Sequence, residues 1–262
     1  MTMAQMSRDE LKDYFLSALN RRIEGLEVCG WTDDLTVEIT AGGLKRQIYL
    51  GNKIKDYEEK NDLAVLDHFV DHIANLNVEK DYDKDYILSH LLVMIQPNDL
   101  IMENGVTYDF SRETKVFVVY QEGEDGGLHF LLQSDLKKHG LREDEVIRLG
   151  IAGIDKEIAR STVKEVTTDW GSYYYFETTK EYLKASFILG STFLDVLRPF
   201  TKEPTILVSN RDCLYVTDAG NSSLISKIAG VCAEDYKNVG YPISKEAFGV
   251  RDGKIVALGV YK

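Results

Sequence analysis

Apolar residues first recur at helical spacing. Leu11, Tyr14, Phe15, Ala18, Leu19, Ile23 and Leu26 fall on one stripe, and Ser7 with Glu10 reads as a capping box. Two alternating segments follow, Leu35–Ile39 and Arg46–Leu50, joined around Gly42-Gly43, a pair that tolerates positive φ. A second amphipathic helix is expected over Asp62–Leu76, with Leu63, Leu66, Phe69, Val70 and Ile73 inward. The run Tyr86–Ile95 reads equally as helix or strand before Pro97.

Beyond residue 115 the pattern becomes rhythmic. Strands are expected at Val116–Gln121 and Leu128–Gln133 around the loop Glu122 to Gly127, then a helix over Glu143–Arg160. Two more strands, near Val166–Thr168 and Tyr173–Glu177, precede a helix from Lys180 to Leu197. Thr205–Val208 and Leu214–Thr217 form another pair, with a helix at Ser223–Tyr236. A closing hairpin, Gly249–Val250 with Ile255–Val260, turns at Asp252-Gly253. Hairpins joined by helices predict an α+β fold, with a mostly antiparallel sheet and helices packed on one face. The acidic run Glu79–Asp85 is the boundary candidate. It separates a helix–hairpin–helix unit, residues 1–80, from strand–strand–helix units over 81–262, and a single domain remains an open alternative.

Composition narrows the classes. The chain has 262 residues, 44% hydrophobic and 28% charged, enough to bury a core, and only four prolines punctuate it. Its formal charge of −12 disfavours nucleic acid and anionic membranes, because the basic clusters are short. The amino terminus has no secretory pattern, and no window approaches the roughly 18 to 20 apolar residues of a membrane span. Cys29, Cys213 and Cys232 are odd in number, with no C-x-x-C pair, so the expectation is a cytoplasmic protein with buried free thiols.

Most catalytic patterns are missing. Asp81 to Asp85 starts like a calcium loop, but Tyr86 and Leu92 stand where Gly and Glu are required. His68 and His72 lie four apart on the second helix and are weak metal candidates without an evident third ligand. There is no phosphate loop and no nucleophile elbow, and no cofactor is implied. In WGSYYYF, strand alternation puts Tyr173 and Tyr175 on one face and Tyr174 and Phe176 on the other, so one pair packs inward and the other is either shielded by a neighbouring loop or exposed as a partner surface, with Tyr173 and Tyr175 the binding candidates. Ser209-Asn210-Arg211-Asp212 reads first as a turn, although a turn does not need a guanidinium. Arg211 with Asn210 is therefore a candidate for bidentate anion binding. Asp212, Asp218 and Asn221 complete the candidate residues.

Ala185-Ser186 with Ile188-Leu189, Asn210-Arg211-Asp212 with Leu214 and Val216-Thr217-Asp218, Asn221, and Tyr241-Pro242-Ile243-Ser244 together resemble the YtpQ-like family of bacterial proteins. The likeness is clearest from about residue 110 onward. Asn210 stands where the family pattern has Ser. The resemblance implies a cytoplasmic bacterial α/β protein and supplies no catalytic residues. Taken together, the sequence favours a non-catalytic binding or interaction protein with an acidic surface and a basic protein partner. The alternative is a hydrolase acting through carboxylates or a metal near His68 and His72. Substrate, partner and oligomeric state are not encoded in any motif.

Overall fold

The computed structural model describes residues 6–41, 44–76, 82–123, 127–238 and 240–261. The Gly42-Gly43 joint, Glu79 to Asp81 of the acidic run and Glu124 to Gly126 of the expected hairpin loop lie outside those residues. The fold is mixed α+β with antiparallel sheets, arranged in two compact units, Met1–Asp81 and Tyr82–Lys262.

The first unit opens with α1 (Arg8–Arg22), whose Ser7–Glu10 capping box forms as the sequence predicts. A three-stranded antiparallel meander follows: β1 (Glu27–Trp31), β2 (Thr36–Ala41) and β3 (Leu44–Tyr49). β1 escapes the periodicity because Gly30, at φ 139°, breaks its pairing with β2. Helices α2 (Gly51–Lys60) and α3 (Ala64–Leu76) complete the unit. Among its described side chains, α2 offers the core only Ile54 and Tyr57, too few to announce a helix. Alternation in β2 buries Val37, Ile39 and Ala41 beside Leu11, Phe15, Leu19, Leu66 and Val70.

The second unit starts with α4 (Lys84–Ser89) and β4 (Leu91–Pro97), so the ambiguous run is helix and then strand. β4 pairs with β6 (Thr114–Gln121), whose other edge takes β5 (Thr107–Asp109) and β7 (Leu128–Phe130). After α5 (Gln133–His139), α6 (Glu143–Arg160) lies on β4 through two glycines. A Cβ at Gly150 would stand 2.9 Å from the Leu92 carbonyl oxygen, and one at Gly153 would run into that of Leu91. The glycines let the helix axis approach the sheet.

The remaining strands build a six-stranded antiparallel sheet in the order β13-β12-β10-β11-β9-β8. These are β8 (Thr162–Thr168), β9 (Gly171–Glu177), β10 (Pro204–Leu207), β11 (Tyr215–Asp218), β12 (Glu246–Arg251) and β13 (Lys254–Val260). The expected helix from Lys180 to Leu197 is divided. A 3-10 segment, Glu181–Leu189, stops at Gly190, and α7 (Phe193–Leu197) begins afresh. Asp155 accepts the Thr192 N–H at 2.9 Å, satisfying the start of α7.

The expectation of helices on one face also changes. α8 (Ser222–Asn238) covers one face of the six-stranded sheet through Leu224, Ile228 and Cys232 over Leu207. Phe176, Ile206, Val216 and Phe248 face the main core on the other. All four residues of β10 are buried, the pattern of a strand covered on both sides.

Candidate binding site

The loop between β10 and β11 holds the Ser209–Asp212 quartet, and it is more than a local turn. The Asn210 side-chain oxygen accepts the Asp212 N–H at 2.9 Å, the self-bonding expected of Asn in a turn. The rest of the loop is pinned from outside. Arg211 N–H donates to the Tyr241 carbonyl at 3.0 Å, and Ile243 N–H to the Ser209 carbonyl at 2.9 Å. Asn210 forms an isolated bridge with Pro242. On the other side, Ala185 N–H donates to the Arg211 carbonyl at 3.1 Å, one bond the 3-10 segment spends outside itself. Three segments far apart in the chain, around residues 185, 211 and 241, thus meet at one place.

The Arg211 side chain is held on two sides. Its guanidinium carbon stands 3.8 Å from the centre of the Tyr241 ring, and it is the only arginine among the described residues seated on an aromatic ring. Nε donates to Asp212 Oδ1 at 3.0 Å. The terminal nitrogens Nη1 and Nη2 make no hydrogen bond among the described residues, and the side chain is 25% exposed. Tyr241 sits at φ 60°, a left-handed conformation that costs a non-glycine residue about 1–3 kcal/mol. The clamp of Arg211 N–H on its carbonyl helps to hold it there. The result is a flat, fixed guanidinium with its outer edge open.

The other sequence candidates go elsewhere. Asn210 is 1% exposed and its side-chain oxygen is engaged, so the predicted Asn210–Arg211 pair presents Arg211 alone. Asp218 lies at the far end of the β10–β11 hairpin, opposite Pro204, and accepts the Thr201 hydroxyl. It borders an open groove of about 490 Å³ with Arg198, Phe200, Lys202 and Glu203. Charges there are balanced, Arg198 being paired with Asp195 at 2.7 Å. Asn221 is the N-cap of α8, its Oδ1 accepting Leu224 N–H at 3.1 Å while its Nδ2 donates to the Trp170 carbonyl at 2.6 Å. Ser222 and Ser223 lie inside the first turn. Tyr173 packs edge-on against Tyr215, 5.9 Å between ring centres, with Tyr175 half-buried, while Tyr174 and Phe176 enter the main core. His68 and His72 are exposed on α3, and no cluster of three metal-ligating side chains occurs among the described residues.

Of the three thiols that the sequence predicts to be buried, Cys29 is exposed on β1, Cys213 is half-buried and Cys232 is buried. Burial raises the Cys213 thiol above its ordinary range and pushes Cys232 up to about 12, so both keep their protons at neutral pH. Glu246, 3% exposed, accepts the Ser111 hydroxyl and the Glu113 N–H at 3.3 Å. Glu113 in turn accepts from Lys245 N–H at 3.1 Å and from the Ser244 hydroxyl at 3.3 Å. The two carboxylates brace the turn before β6 against the start of β12. No protein family, curated protein or solved structure matches this chain.

Tyr241 is the residue of this candidate site whose ring the sequence does not single out. Its one local signal was position: a tyrosine directly before Pro242 is pushed out of the right-handed helical region, yet nothing local says that its ring will carry Arg211.

Proposed function

We propose that the protein is a non-catalytic binding protein that engages its partner through the Arg211 surface. The observation that carries this reading is the open edge of a guanidinium already fixed by Tyr241 and Asp212. Holding a long side chain in its binding geometry before the partner arrives lowers the entropy cost of association. The charge of −12 supports a partner that is basic overall, drawn in by a salt-sensitive encounter. The resemblance to the YtpQ-like family, a cytoplasmic setting and a bacterial source belong to the same proposal. No helix among the described residues is long and apolar enough to cross a membrane.

Native mass spectrometry of the protein drawn gently from its host tests the proposal, with Arg211→Ala run in parallel. The expected result is a second chain at fixed stoichiometry that is lost in Arg211→Ala and at high salt, with the melting temperature nearly unchanged. A partner retained by the variant would overturn the assignment to Arg211. A bare chain in both samples would overturn the binding reading.

A further inference from the structure

We infer that Arg211 and Tyr241 form a receptor for a single carboxylate. This rests on the binding reading above and names the chemistry of what is bound. The guanidinium is planar and presents Nη1 and Nη2 side by side, the spacing that a carboxylate matches with two parallel hydrogen bonds. Tyr241 covers one face at 3.8 Å and fixes the plane of the fork. Asp212 takes Nε at 3.0 Å, which orients the fork and leaves the terminal pair unspent among the described residues.

The same arrangement selects among anions. Asp212 already offsets much of the Arg211 charge, and the whole chain is at −12. A dianionic phosphate needs further cations or a nest of backbone N–H groups. Here the backbone of the loop is committed: Arg211 N–H, Asp212 N–H and Cys213 N–H all have acceptors within the protein. One planar monoanion is what the open edge can satisfy. The carboxylate has two possible sources, a small organic acid or the chain end of a polypeptide partner.

The test uses the full chain and three probes followed by NMR: acetate, inorganic phosphate, and a lysine-rich peptide with either a free or an amidated carboxyl terminus. Expected are saturable shifts centred on Arg211 and Tyr241 with acetate or the free-ended peptide. Arg211→Lys keeps the charge but loses the fork, and should weaken binding about tenfold or more. Tyr241→Leu removes the platform and should bind more weakly. Tighter binding of the free-ended peptide than of acetate or the amide assigns the site to a polypeptide chain end. Equal binding of acetate and that peptide assigns it to a small acid. Phosphate binding as tightly as acetate, or Arg211→Lys binding like the parent, would overturn the carboxylate assignment. No shift with any probe would also overturn it. The mass-spectrometric partner, lost or kept in Arg211→Ala, still decides the broader reading independently.

Discussion

At the residue scale, two glycines in helices do opposite work. Gly153 of α6 is small because the Leu91 carbonyl oxygen fills the space a Cβ needs. Gly153→Ala would force helix and strand apart and should destabilise the protein by about 1–3 kcal/mol, read as a lower urea midpoint. An unchanged midpoint would mean that α6 does not lie so close to β4. Gly230 of α8 is exposed and has nothing within 4 Å of its would-be Cβ. Gly230→Ala should therefore stabilise by about 0.5–1 kcal/mol, since only the backbone entropy of glycine is removed. The same residue type thus gives opposite signs, decided by what stands across from it.

At the element scale, Asn221 ties a hairpin to a helix. Its oxygen caps α8 and its amide nitrogen holds the Trp170 carbonyl at the β8–β9 turn. Gly171, at φ 123°, permits the contact, because a Cβ there would strike the Asn221 amide. Asn221→Asp keeps the cap but loses the donor, so α8 should survive while the hairpin tip loosens. Trp170 is half-exposed, with Lys227 Nζ 3.9 Å from its ring, and its fluorescence should shift in this variant. Asn221→Ala loses both bonds and should cost about 1–2 kcal/mol. Equal fluorescence in Asn221→Asp and the parent would show that the amide does not hold the tip.

For the whole molecule, burial of acidic hydrogens sets the alkaline limit of stability. Cys232 is raised from an ordinary 9.0 to about 12 by burial, and Tyr120 from 10.0 to about 12, by burial and then by the charges of Asp135 and Glu122. The unfolded chain gives up these protons at lower pH than the folded chain does. Stability from Cys232 is therefore complete below pH 9.0, falls as pH rises, and is lost by about 12. Urea midpoints between pH 7 and 11 should decline from about 9 upward, and Cys232→Ala should flatten the first part of that decline. A decline equally steep in the variant would remove Cys232 as its cause.

Local chemistry alone determined much of this protein. The Ser7–Glu10 capping box, the span of α6 and the β12–β13 turn at Asp252-Gly253, with φ of 51° and 72°, follow from short-range periodicity and turn preference. Arg211 was legible as an oddity, because a turn has no need of a guanidinium. Its setting was not. That Ala185 N–H and Tyr241 would both reach the β10–β11 loop depends on contacts across 26 and 30 residues of chain. The break at Gly190 likewise depends on Asp155, which lies 37 residues before the Thr192 N–H it accepts. Side chains spaced three or four apart meet because the helix repeats, whatever the rest of the chain does. Side chains thirty apart meet only when the packed sheets and helices bring them together, and that the tertiary structure alone decided.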